Sequence, residues 1–171
     1  ELAEDLAFGI VTLRMRGERE RLEAAEHESA ERLKRALLGT IQAVAVTVEK
    51  RDPYTAGHQQ RVARLAVAIA RELGWPPDQI EGVRLGGMIH DIGKIYVPAE
   101  ILNRPGKLSE LESGIIKRHP EVGYEILADV ELPWPVAQII LQHHERLDGS
   151  GYPKGLKGDQ IIPEARLLAV A

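Results

Sequence analysis

Pro76-Pro77-Asp78-Gln79-Ile80-Glu81-Gly82-Val83-Arg84-Leu85-Gly86-Gly87-Met88-Ile89-His90-Asp91-Ile92-Gly93-Lys94 is the stretch on which the reading of the chain turns. Its prolines stand where a helix opens, and Ile80, Val83 and Met88 carry the helical run forward. An imidazole and a carboxylate then arrive side by side, with a lysine three residues after the aspartate. Neighbouring residues lie about 100° apart around a helix, so His90 and Asp91 can share a metal only where the helix end opens between them. Gly93 is placed to provide that opening. His58 and the later His119, His143 and His144 flank the stretch. Five imidazoles around one aspartate suit two metal ions. A set of unrelated core or surface histidines is the competing reading.

Composition narrows the classes. The 171 residues are enough for one domain with a core plus a helical appendage. A net charge of -4 with mixed signs announces no surface for DNA. The absence of cysteine excludes disulfides and thiolate-rich zinc sites, so any metal takes nitrogen and oxygen ligands. No apolar run reaches the roughly 18 residues of a membrane span, and the N-terminus lacks a signal-peptide layout. A cytoplasmic protein is expected.

On the N-terminal side, Leu2, Leu6, Ile10 and Leu13 have the spacing of an amphipathic helix. From Arg14 to Arg35 the chain is dense in arginine and glutamate, with Leu22 and Leu33 as its few large apolar residues. That pattern predicts a long solvent-exposed helix laced with charge pairs, weakest at Gly17 and with a solvated His27. The pattern turns apolar from Leu37 through Leu38, Ile41, Val44, Ala45 and Val48. A helix this polar gains little alone, so a homodimer through a parallel two-stranded coil is expected, although heptads between residues 17 and 31 are poor. A monomeric helix packed on its own domain is the alternative. Asp52-Pro53 interrupts it and reads as the N-cap and first turn of the next helix. That helix carries His58, Val62, Leu65, Ala66 and Ile69 and closes at Gly74.

On the C-terminal side, Pro98 and Pro105-Gly106 mark a loop, and Ser109 with Glu112 forms a capping box. His119-Pro120 breaks that helix, and another follows through Val122, Ile126 and Leu127. Pro133 and Pro135 precede the run from Val136 to Leu141 that delivers His143-His144. Residues 148–159 are glycine-rich and irregular, and Pro163 begins a last helical run. Trp75 and Trp134, each beside a proline, read as capping or core residues. No alternating strand stands out, so the expected fold class is all-α.

Six motifs in order carry a resemblance: Arg51-Asp52-Pro53-Tyr54-Thr55-Ala56-Gly57-His58, His90-Asp91-Ile92-Gly93-Lys94, Asn103-Arg104-Pro105-Gly106-Lys107-Leu108, His119-Pro120 with Gly123, His143-His144-Glu145, and Asp148-Gly149-Ser150-Gly151-Tyr152-Pro153. Over residues 39–171 the chain resembles the HD-GYP domain, a bacterial subclass of the HD phosphohydrolase superfamily. Residues 1–38 are then a linker and signalling helix, and residues 1–13 resemble the end of a GAF sensor domain. The resemblance implies an HD-type helical bundle that hydrolyses cyclic di-GMP to linear pGpG or GMP. It implies one metal held by His58, His90 and Asp91, a second by His119, His143 and His144, and Asp91 bridging both. Iron or manganese is favoured, while the donor set alone also admits zinc or nickel.

Asp91 and Lys94 are the catalytic candidates, Lys94 pairing with a phosphate oxygen. Glu145 either orients a ligand imidazole or is simply exposed. Gly151, Tyr152 and Pro153 are candidate substrate contacts, with Tyr152 stacking on a guanine. The same loop is a candidate docking point for diguanylate cyclase domains, a plain connection being the alternative. Some members bind a third metal through a glutamate four residues before the first ligand histidine. Tyr54 stands at that position, so no third metal is expected. The resemblance also implies a further aspartate directly after Ala171. On that expectation the domain is incomplete, binds metal substoichiometrically, turns over poorly, and exposes an apolar patch around Leu167 and Leu168. A catalytically impaired nucleotide-binding or interaction module is the alternative function.

Overall fold

One 48-residue helix, α1 (Leu2–Glu49), opens the computed structural model. The model describes the backbone of residues 2–52 and 57–171, and within them the side chains of 8, 9 and 13 onward. The side chains of Leu2, Leu6 and Ile10 and of most of the GAF-like end, and the whole of Pro53 and Tyr54, therefore lie outside what is described. The helix passes through Gly17 without a break. Its surface carries the expected charge ladder, with Arg16–Glu20 at 3.0 Å and Arg19–Glu23 at 3.1 Å, and His27 is exposed. Each such exposed pair contributes only about 0.3–0.5 kcal/mol, so the ladder alone does not hold a helix of this length. Met15, Leu22, Leu33 and Leu37 are all exposed. No large apolar residue stands between Leu22 and Leu33, eleven residues apart, which is why a seven-residue repeat fits poorly over that stretch.

The chain divides into two compact units, residues 1–40 and 41–171. In the second, α2 (His58–Glu72) begins later than Asp52-Pro53 suggests. Its N-cap is Gly57, at φ 70°, a left-handed conformation that glycine adopts without strain. Asp52, buried with Lys94 3.5 Å away, lies five residues before that cap. The closure at Gly74 is as read: its φ is 72°, and the Trp75 N–H donates to the Ala70 carbonyl.

Next comes α3 (Pro77–Ile89), which leads into a 3₁₀ turn over Ile92–Tyr96 and a short α4 (Ala99–Leu102) inside the segment read as loop. The capping box opens α5 (Glu110–Ile116): Ser109 Oγ accepts from the Glu112 N–H, and the Ser109 N–H donates to Glu112 at 2.8 Å. The remaining helices are α6 (His119–Leu127), α7 (Val136–Gln142) and α8 (Pro163–Leu168). Among the described residues the sole β-like pairing is an isolated bridge between Asp148 and Lys157. The fold is all-α.

Small residues let α3 sit close to its neighbours. Gly87 faces Ala63 of α2, Gly86 faces Ile139 of α7, and Gly82 faces the Trp134 ring. Val62, Ala66, Ala70, Val83, Ile139, Leu167 and Leu168 form the core beneath, and Trp75 packs against it. Leu167 and Leu168 are each only 5% exposed. They bury their faces against that core, so the apolar patch expected around them is not there. Leu167→Ala should therefore lower stability by about 2–4 kcal/mol, read from the urea midpoint. An unchanged midpoint would place Leu167 outside the core.

Candidate metal centre

His90 immediately follows α3, His119 stands three residues after the end of α5, and His143 immediately follows α7. Carbonyls in the last turn of a helix lack an intrahelical amide partner. Each of these imidazoles reaches back to one of them. Nδ1 of His90 lies 2.9 Å from the Gly87 carbonyl, Nδ1 of His119 2.7 Å from that of Ile116, and Nδ1 of His143 2.6 Å from that of Ile140. A carbonyl can only accept, so Nδ1 carries the hydrogen and each Nε2 is left with a free lone pair.

Two of those lone pairs, on His90 and His119, face Asp91, which is 4% exposed. Its Oδ2 lies 3.4 Å from His90 Nε2 and its Oδ1 3.3 Å from His119 Nε2. His119 Nε2 and His143 Nε2 face each other at 3.2 Å. Two acceptor nitrogens at that distance repel unless a cation or proton lies between them. His58, half-buried at the start of α2, sets its ring 5.3 Å from that of His90. His144 lies 4.1 Å from His143 and 5.1 Å from His119 by ring centroid. The potential ligand atoms fall into two groups, His58-His90-Asp91 and His119-His143-His144, each within 4.8 Å. This donor set fits a pair of divalent cations taking nitrogen and oxygen ligands.

The electrostatics suit cations as well. Burial keeps His58, His119 and His143 neutral below their ordinary range and brings His144 down to about 4. For Asp91 burial alone would favour the protonated form. The neighbouring His90 ring, the Lys94 ammonium and the His119 ring outweigh it and hold the carboxyl well below its ordinary value. In the metal-free protein the unfolded chain takes up protons on these imidazoles from about pH 6.5 downward, whereas folded His144 resists until about 4. The unfolded state then binds more protons between those values, so stability falls as pH drops through that window. Urea midpoints of the metal-free protein should decline from pH 7 to 4. A flat profile would contradict the burial of these rings.

Lys94 Nζ lies 2.8 Å from Asp91 Oδ2 and 3.5 Å from Asp52 Oδ2, placing one cation at the rim of the cluster. Arg51 donates to the carbonyls of Ile95 and Val97 and ties the approach to α2 onto the turn that carries Lys94. Gly93 does more than open the helix end. A Cβ there would strike the His119 carbonyl oxygen and the Gly123 amide nitrogen, so the turn lies directly on α6.

Glu145 fits neither expectation. It is 3% exposed, and its two oxygens accept the backbone N–H groups of Lys154 and Leu156 at 2.6 and 2.9 Å, not an imidazole. Gly151 is pressed against the backbone of Glu145 and Arg146. Tyr152 stacks on His144 with centroids 4.6 Å apart, so one of its faces is already covered. Pro153 is half-buried beside it. The carbonyls of Gly87, Ile116 and Ile140 escaped the sequence reading. Their signal was present in each case: a histidine placed at or just beyond a helix end.

The model of the HD domain family matches residues 42–171. The cyclic di-GMP phosphodiesterase response regulator RpfG of Xanthomonas campestris is 40% identical over 154 residues, 89% of this chain and 40% of that protein. A 3'3'-cGAMP-specific phosphodiesterase of Vibrio cholerae is 41% identical over 75% of this chain and 30% of its own length. Among solved structures, Bd1817, an HDG"Y"P protein from Bdellovibrio bacteriovorus, superposes with a TM-score of 0.58 at 32% identity. That match covers 66% of this chain and 37% of the other. The chain spans at most about two fifths of these relatives.

Proposed function

The chain belongs to the HD domain family, and on that premise we propose that it is a metal-dependent phosphodiesterase that hydrolyses cyclic di-GMP to linear pGpG or GMP. The observation that carries this reading is the division of Asp91, one carboxylate oxygen toward His90 and the other toward His119. His58, His90 and Asp91 would hold one ion, and His119, His143 and His144 the other, with Asp91 shared. Iron or manganese is the favoured metal. Two such ions would supply an acidified water and neutralise phosphate charge.

The protein's own part is to present imidazoles whose Nε2 lone pairs are left free by their Nδ1 hydrogen bonds and to keep Asp91 ionised. Lys94 holds a positive charge beside Asp91 and would pair with a nonbridging oxygen of the phosphodiester. Replacing it by methionine should lower kcat/KM by about 10²-fold with metal content unchanged. Equal activity would remove Lys94 from the reaction.

The relatives are named for two cyclic dinucleotides, so the direct experiment offers both. Metal-loaded protein should consume cyclic di-GMP, with 3'3'-cGAMP offered beside it as the comparison substrate. Hydrolysis of neither would overturn the reading.

Residues 1–38 are proposed as a signalling helix and 39–171 as the catalytic domain. No helix among the described residues is long and apolar enough to cross a membrane, and a cytoplasmic homodimer through α1 is proposed. With no native cysteine, Leu22→Cys and Leu33→Cys should cross-link between copies while Ser29→Cys does not. Strong cross-linking at Ser29 alone would replace the eleven-residue seam by a heptad. Docking of diguanylate cyclase domains on the loop around Tyr152 completes the proposal.

A further inference from the structure

Three of the buried imidazoles are oriented by a hydrogen bond to a carbonyl three residues back. The His144 ring makes no such bond among the described residues. It rests face to face on Tyr152 instead, with ring planes 23° apart. A stack of this kind fixes the plane of an imidazole while leaving its nitrogens, whose lone pair and hydrogen lie in that plane, free for other partners.

The segment that carries Tyr152 is tied down at several points. Glu145 accepts the Lys154 and Leu156 amides, and the Tyr152 N–H donates to the His144 carbonyl at 3.2 Å. Asp148 accepts from the backbone and hydroxyl of Ser150, and the Gly149 N–H donates to the Arg146 carbonyl. Gly151 has no room for a side chain because the Glu145 and Arg146 backbone fills it. Lys154 reaches Glu121 of α6 at 3.0 Å, and Lys117 Nζ lies 5.5 Å from the centre of the Tyr152 ring. Glu145 is thus a buried carboxylate spent entirely on holding this loop closed, directly after the two ligand histidines.

We propose that Tyr152 is the positioning residue of His144, holding the ring in the plane its metal requires, and that Glu145 latches Tyr152 in place. This rests on the reading of His144 as a ligand. The Tyr152 ring, not its hydroxyl, does this work, because the contact is through the face.

Cobalt(II) titration of the metal-free protein, followed by its visible absorption, tests the assignment. Wild type should show two cobalt sites, the one held by His58, His90 and Asp91 filling substoichiometrically. Tyr152→Ala should leave one site intact and weaken the other about 10–100-fold, the usual cost of losing a group that orients a ligand. Tyr152→Phe should restore wild-type binding, and Glu145→Gln should weaken the same site as Tyr152→Ala. Circular dichroism confirms that the variants are folded, and Tyr152→Phe keeps the test valid if the alanine variant is not. Two undisturbed sites in folded Tyr152→Ala would overturn the proposal, as would Tyr152→Phe failing as badly as alanine. A wild-type protein that takes up no cobalt would instead overturn the metal-centre reading beneath it.

Discussion

Asp91→Asn should abolish hydrolysis, lowering kcat/KM by about 10³-fold or more, and should strip both ions rather than one. The buried carboxylate gives one oxygen to each histidine group. An asparagine of the same shape offers one oxygen and one amide, whose hydrogens point at an acceptor imidazole or at a cation. The substitution also removes the negative charge that offsets Lys94 and the incoming metals. Lys94 retains Asp52 at 3.5 Å, so the fold should survive and the loss should be chemical. Elemental analysis after gel filtration decides it. Two ions retained per chain would end the bridging assignment, and one ion retained would show that the groups fill independently. His27→Ala, on the exposed face of α1, should leave both metal and activity unchanged.

Gly93→Ala should be the most damaging single methyl in the domain. The added Cβ meets the backbone of α6, at the His119 carbonyl and the Gly123 amide, and backbone cannot swing away as a side chain can. Overpacking usually costs about 1–3 kcal/mol, and a backbone-on-backbone clash belongs at or above the top of that range. His119 opens the helix that must retreat, so metal binding at the His119 group should fail even where the fold persists. Gly114→Ala in α5 is the natural contrast, because nothing lies within 4 Å of its added methyl. That variant should be as stable as wild type or gain up to about 1 kcal/mol. Equal urea midpoints for the two alanine variants would contradict the close approach of the turn and α6.

The contrast between these glycines shows what the sequence discloses. Proline and glycine punctuation located most helix ends, because a fixed φ or a left-handed cap is decided by the residue itself. Gly74, Pro77 and Pro163 each did what their chemistry dictates. The start of α2 was misplaced because the cap position falls to Gly57, in a left-handed conformation, and not to Asp52. The histidines were legible as a set because so many imidazoles around one aspartate have few other uses. Their orientation followed from local rules once helix ends were known. Glu145 was opaque, since its partners lie nine and eleven residues on in a loop with no periodic pattern. The burial of Leu167 and Leu168 was misjudged for a similar reason. Their cover comes from Val62, Ala66 and Val83, far back in the chain, and no local pattern announces it.

The central claim is that Asp91 joins two ions in one centre. Electron paramagnetic resonance of the protein saturated with manganese(II) tests it most directly. Two ions per chain sharing a carboxylate at about 3.5–4 Å should give a broad exchange-coupled spectrum that collapses in Asp91→Asn. A simple six-line signal from one isolated manganese per chain, unchanged by that substitution, would contradict the account.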